Sequence, residues 1–141
     1  MTFTANIYTV RHDSQRYNTA GDWMVLGDME GAPRFAVTVS YLGDWRMEAL
    51  IAVHELIECL LCHHAGITDA QVTGFDKAWE AARDKLQSET GIVDLAPAEP
   101  GNDYACPYKH QHAIASAVER LLAAELGVSW EAYEQKLNSL A

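Results

Sequence analysis

Positive charge and cysteine are both scarce in this chain. Ten lysines and arginines face 20 aspartates and glutamates among 141 residues, so the formal net charge is −10. Surfaces that bind duplex nucleic acid are normally basic, so this balance argues against nucleic-acid binding. No two acidic residues are adjacent, and mimicry of nucleic acid by an acidic run is therefore not predicted. Dispersed acids of this kind are typical of a surface that keeps a protein soluble.

Long hydrophobic runs are also missing. The longest apolar stretch, residues 49–62, is interrupted by His54, Glu55 and Glu58, which makes it too short and too charged to span a bilayer. The first residues lack the basic-then-apolar order of a secretory signal, and three cysteines are an odd, small number that fits a reducing compartment. We therefore expect a cytoplasmic protein with no membrane association.

The chain is of single-domain size, and 49% of its residues are hydrophobic, which is enough for one core. Residues 3–10, 23–28 and 34–41 are rich in β-branched and aromatic residues and are separated by turn-prone segments, a pattern that predicts strands. The fold class predicted for residues 1–141 is α+β. A small antiparallel sheet of two or three strands occupies residues 1–42, and three or four helices follow over residues 44–141.

The helical part begins with a long central helix that contains HExxE. Its apolar stripe consists of Leu50, Val53, Ile57, Leu60 and Leu61, and Gly66 lies where a helix C-terminus is expected. A capping-box pattern at residues 68–71 opens a second helix, in which Gly74 is a candidate break. Residues 91–107 form a long loop, and long loops in compact domains are often functional. A third helix over residues 108–126 and a short last helix over residues 130–140 complete the chain.

His54 and Glu58 are candidate metal ligands on the central helix. Four residues apart, they project about 40° apart around the helix axis and are able to share one ion. Glu55 follows His54 directly, which is similar to the zincin pattern His-Glu-x-x-His, where the intervening glutamate is the general base. Here a glutamate stands in place of the second histidine.

The third helix supplies the remaining candidates. His112 and Glu119 lie seven residues apart on one edge, and the small residues Ala115 and Ser116 between them leave room for an ion or a substrate. If the central and third helices pack together, His54, Glu58 and His112 form a set of two histidines and one carboxylate. Such a set suits catalytic zinc with an open position, and equally non-haem iron. Glu119 would orient His112 or act as a fourth ligand.

Another interpretation of the same residues needs no metal. His54 would then be a neutral core histidine hydrogen-bonded to Glu58 or Glu119, since a buried polar pair requires only good hydrogen bonds. In the loop, the possible contributors to a metal or substrate site are Asp94, Glu99, Asp103 and Tyr108. The sequence does not decide between these roles and simple solvation or packing of the loop.

The runs HELIECLLCHHAGIT and EPGNDYACPYKHQHAIASAVERLLAAELGVSW resemble a family of small uncharacterised proteins from phages and prophages. The resemblance covers roughly residues 48–133. By motif the chain is similar to a minimal zincin-like domain, which implies His54, Glu58 and His112 as ligands and Glu55 as base. A phage origin would imply the cytoplasm of a bacterial host.

The function we predict is metal-dependent hydrolysis of an amide or peptide. The metal is expected to be zinc, with iron or manganese as the other choices. One alternative is a non-catalytic accessory protein that engages a host protein, through exposed residues such as Trp45 or Trp130. A second is an oxidoreductase with non-haem iron in the same triad. The sequence gives neither the substrate nor the oligomeric state.

Overall fold

The structure is a computed structural model that describes residues 2–29 and 32–140. A small sheet is followed by a helical layer, as predicted for an α+β domain. The strands and helices are β1 (Thr4–Val10), β2 (Gly21–Met29), β3 (Ala32–Ser40), α1 (Trp45–His64), α2 (Asp69–Thr90), α3 (Lys109–Glu125) and α4 (Trp130–Asn138). Short 3-10 turns lie at His12–Ser14 and Pro100–Asn102.

The sheet is mixed, with strand order β1-β3-β2. The predicted antiparallel pairing is confirmed for β2 and β3 and is wrong for β1, which runs parallel to β3 with Thr4 opposite Arg34. The physical reason lies in the connection. Residues 11–20 carry the chain from β1 to the far edge of the sheet, and β3 then returns between the two outer strands.

Helix α1 begins and ends where the sequence predicts. The Asp44 side chain accepts a hydrogen bond from the Arg46 amide at the N-terminus, and Gly66 adopts a positive φ of 77° just beyond the C-terminus, a conformation that glycine adopts without steric cost. The buried face differs from the predicted apolar stripe. Leu50 belongs to it, whereas Val53 and Ile57 are only half-buried. The buried residues of α1 are Leu50, Ile51, His54, Glu58, Cys59 and Cys62.

The second helix begins where the sequence predicts, and it is not divided at Gly74. Both halves of the capping box at Thr68 and Gln71 are formed, and α2 continues through Gly74 without a break. Helix α1 packs against α3 on one side and against β2 and β3 on another. Polar α1 residues that face both neighbours are therefore enclosed between the sheet and α3.

One further property of the helices concerns membranes. Within residues 2–29 and 32–140, no single helix is both long and apolar enough to cross a bilayer. Only α1 and α2 taken together pass that test of length and composition, and they are bent by 119° at their junction.

Candidate metal centre

His54 is held between two carboxylates in the interior. Its Nδ1 lies 2.8 Å from Oε1 of Glu119 on α3, and its Nε2 lies 3.2 Å from Oε2 of Glu58 one turn along α1. Glu119 is fixed in turn by Tyr133 of α4, whose hydroxyl donates to Oε2 over 2.6 Å. The orientation of the His54 ring is thus set by three helices. The prediction that Glu119 orients His112 is wrong, because the two carboxylate oxygens of Glu119 are bonded to His54 and Tyr133.

Glu58 lies at the centre of the cluster. Its Oε2 lies 3.2 Å from Nε2 of His54 and 3.0 Å from Nδ1 of His112, so one oxygen contacts both histidines. Its other oxygen, Oε1, accepts a hydrogen bond of 3.0 Å from the indole nitrogen of Trp23 on β2. The carboxylate therefore joins the sheet to α1 and α3.

His112 completes the arrangement from the first turn of α3. Its second nitrogen, Nε2, lies 3.0 Å from Oε1 of Glu99 in the loop before α3. The rings of His54 and His112 meet edge to face, with centroids 4.8 Å apart and planes inclined by 67°. The packing of α1 against α3 therefore brings both histidines to one carboxylate oxygen.

The geometry of this trio is compatible with a bound cation. One ligand atom from each of His54, Glu58 and His112 lies within 4.8 Å of the other two. Each side chain is also anchored through its other polar atom, by Glu119, Trp23 and Glu99 respectively. Protein metal sites commonly have such outer partners, which orient the ligands and fix histidine tautomers. The cluster could hold a divalent metal ion.

Without a metal, the cluster is held together by hydrogen bonds from the protonated histidine rings to the carboxylates. Burial by itself lowers the pKa of His112, but hydrogen bonds to Glu58 and Glu99 outweigh it and raise the pKa to about 9. Burial also lowers the pKa of His54, but the hydrogen bonds of His54 to Glu119 and Glu58 outweigh it and raise that pKa well above the usual value. Carboxylate oxygens only accept, so both nitrogens of each ring act as donors.

Glu58 shows the opposite shift. Burial would raise its pKa, but the hydrogen bonds from His112 and His54 lower it to about 2. The trio is thus a carboxylate between two imidazolium rings at neutral pH. A divalent ion would supply the same positive charge in place of two protons, and its affinity would therefore rise with pH.

Glu55 lies at the wall of a cavity beside this cluster. The cavity measures about 370 Å³, and its lining includes His54, Glu55, Glu58 and His112, a volume in the range of small-ligand sites. Burial, and then the charge of Glu58, raise the pKa of Glu55 well above its ordinary value. A carboxyl group with a raised pKa at the wall of a cavity is suited to proton transfer.

Tyr108 also lines the cavity, at the start of α3. It is buried, its hydroxyl donates to Asp76 of α2, and Tyr17 donates to the other oxygen of Asp76 over 2.6 Å. Asp103 is placed elsewhere. Its carboxylate accepts from the Trp79 indole and from a backbone amide of its own loop, so it fastens the loop to α2.

Glu99 was among the loop carboxylates that the sequence offered, whereas three other residues of the centre were not identified from the sequence. Trp23, Gly101 and Tyr133 come from a strand, a loop and the last helix, and no local spacing connects them to His54. Only Gly101 had a usable signal, since Pro-Gly-Asn after a glutamate indicates a tight turn. The others are brought to the site by tertiary packing.

The pKa shifts predict how the stability of the metal-free protein depends on pH. The pKa of His112 is raised from 6.5 to about 9, so its contribution is complete below pH 6.5 and is lost as pH rises through 9. The pKa of Glu58 is lowered from 4.5 to about 2, so its contribution is complete above pH 4.5 and is lost as pH falls through 2. Stability should therefore be greatest between about pH 4.5 and 6.5.

Urea unfolding of chelator-treated protein measures this dependence. Between pH 6.5 and 9 the unfolding free energy should fall by about 3 kcal/mol from His112 alone. The fall should shrink in His112→Ala and should persist in His110→Ala, which removes an exposed histidine from the same helix. A flat profile in the unsubstituted protein would contradict the charged arrangement.

No protein-family model, curated protein or solved structure matches this chain.

Proposed function

We propose that the chain is a metal-dependent hydrolase that acts on an amide or peptide bond. One observation supports this most strongly. The ligand atoms of His54, Glu58 and His112 converge, and each side chain is anchored from behind. Two histidines and one carboxylate leave at least one coordination position for water or substrate, as catalytic zinc sites do.

The metal would polarise the substrate carbonyl and make water more acidic. In this proposal His54, Glu58 and His112 hold the ion, and Glu119 and Glu99 keep the two rings in place. Glu55 accepts a proton from the attacking water and returns it to the leaving nitrogen. Its raised pKa makes the ionised carboxylate a stronger base, and it lets the protonated form persist closer to neutral pH for the return of the proton.

Zinc is the metal that we propose, because neutral imidazole and carboxylate ligands suit it and hydrolysis needs no change of oxidation state. The same set of ligands is also found around non-haem iron. An iron oxidoreductase would consume oxygen, and oxygen uptake on addition of Fe(II) would favour that function instead. Manganese is a further choice for a hydrolase. The proposed setting is a bacterial host cytoplasm, in keeping with the resemblance to phage proteins.

A second candidate function is supported by a different observation. All four ring nitrogens of His54 and His112 already lie within 3.2 Å of a carboxylate oxygen, so the cluster is satisfied as a metal-free network. The chain would then be a non-catalytic binding module for a host protein. Trp45 is 69% exposed and available for such an interface, whereas Trp130 packs against Tyr133 and Arg120.

The proposal is tested by metal-dependent turnover. The protein is stripped with a chelator, reloaded with zinc, manganese or iron, and incubated with a peptide library whose products are read by mass spectrometry. Cleavage should appear only in reloaded samples and should be absent from His54→Ala. Cleavage that survives removal of the metal, or that persists in His54→Ala, would contradict the proposal. His64→Ala, an exposed histidine of the same helix, is the matched control.

A further inference from the structure

His112 is also held from outside the trio, by residues of the loop between α2 and α3. Oε1 of Glu99 lies 3.0 Å from its Nε2, and the same oxygen accepts a hydrogen bond of 2.9 Å from the Asn102 side chain. Backbone hydrogen bonds close the intervening turn, from Asn102 N–H to the Glu99 carbonyl and from Asp103 N–H to the Pro100 carbonyl. Glu99 is therefore presented to the histidine by a closed turn.

Gly101 in this turn lies directly against the imidazole ring. A Cβ added at Gly101 would lie 2.5 Å from Nδ1 and 2.6 Å from Cδ2 of His112, closer than carbon atoms approach such a ring. Gly101 is itself buried, so a side chain added there would have to displace the ring or the turn. Only glycine allows the chain to pass this close.

These two contacts restrict the ring in different ways. Gly101 blocks movement through the face of the ring, and Glu99 fixes the direction of Nε2. A half-turn of the ring about its bond to Cβ would place carbon atoms where Glu99 and Glu58 now meet nitrogens. The ring is therefore held with Nδ1 toward Glu58 and Nε2 toward Glu99.

We propose that Glu99 and Gly101 form a clamp that positions His112, so that Nδ1 and not Nε2 is presented to the ion. The consequence for metal affinity rests on the proposed function, whereas the orientation of the ring does not. Both are positioning residues, because they act through His112. Displacement of this loop would remove the Glu99 and Gly101 contacts from the His112 ring and leave the contact to Glu58.

Two measurements test the clamp, and the first uses cobalt. Co(II) is titrated into chelator-treated protein, and its visible absorption reports affinity and coordination. Glu99→Ala and Gly101→Ala should each bind Co(II) about 10- to 100-fold more weakly. Glu99→Gln should lose less than Glu99→Ala, because its amide oxygen still accepts from Nε2. Gly74→Ala, where an added Cβ meets nothing within 4 Å, should match the unsubstituted protein.

The second measurement is nitrogen-15 NMR of the histidine rings in metal-free protein. Glu99→Ala should change the His112 ring signals and speed exchange of its Nε2 proton, with the His54 signals unchanged. Unaltered His112 signals in Glu99→Ala would overturn the clamp, and this arm remains decisive if Gly101→Ala does not fold. If the unsubstituted protein binds no Co(II), the proposed function fails, and the ring signals still decide whether the clamp exists.

Discussion

Replacement of Glu55 by glutamine is expected to slow hydrolysis by about 10²- to 10⁴-fold while the metal content stays the same. Glutamine has nearly the shape of glutamate but neither accepts nor returns a proton. Because Glu55 lines the cavity next to the ligands without being one of the converging trio, its loss should affect turnover and not binding of the ion. Turnover of a cleaved peptide and metal content are measured on the same samples.

The matched control is Glu125→Gln, which removes an equal charge from an exposed position on α3 and should leave turnover unchanged. Undiminished turnover in Glu55→Gln would rule out Glu55 as the base. Loss of the metal together with turnover would instead make Glu55 a ligand or a structural residue.

Replacement of Glu58 by alanine is expected to be the most damaging single change to stability. The side chain is buried, and its two oxygens meet His54, His112 and Trp23. Alanine would leave two imidazolium rings, whose centroids lie 4.8 Å apart, without the carboxylate between them. Removal of one partner from a buried ion pair typically costs about 3–5 kcal/mol, and we expect a loss of that order in metal-free protein at pH 6.

Urea unfolding of Glu58→Ala and Glu58→Gln separates the effect of losing the negative charge from the effect of losing the side-chain volume and the acceptor for Trp23. Glutamine keeps the volume and an acceptor for Trp23, so it should lose less stability than alanine. Both variants should fail to bind the metal. A change below about 1 kcal/mol in Glu58→Ala would show that the carboxylate is not the centre of the cluster.

The sequence predicted the elements of the fold well where their signals are local. The capping box at Thr68 and the glycine end of α1 at Gly66 each depend on a few neighbouring residues, and both are formed. The parallel pairing of β1 was missed because strand order depends on where residues 11–20 cross the sheet. No periodicity within a strand contains that information.

The convergence of the trio could also be predicted from local spacing, together with the packing of two helices. The four-residue spacing of His54 and Glu58 fixes their relation on one helix, and His112 follows once α1 and α3 pack together. The partners of the trio could not be inferred in this way. Trp23 reaches Glu58 from 35 residues away, and Glu99 reaches His112 across a loop. The apolar stripe was also misjudged, because α1 is covered on several sides and its most buried face contains the polar residues.

The central claim is that His54, Glu58 and His112 bind one metal ion, and elemental analysis tests it most directly. The protein is purified without a histidine tag or chelator, beside His54→Ala and His112→Ala and the exposed controls His64→Ala and His110→Ala. We expect close to one zinc ion per chain in the unsubstituted protein and both controls, and loss of the metal from both site variants. The contrary result is a protein that contains no metal and takes up none from added zinc, iron or manganese. The trio would then be a hydrogen-bonded structural cluster.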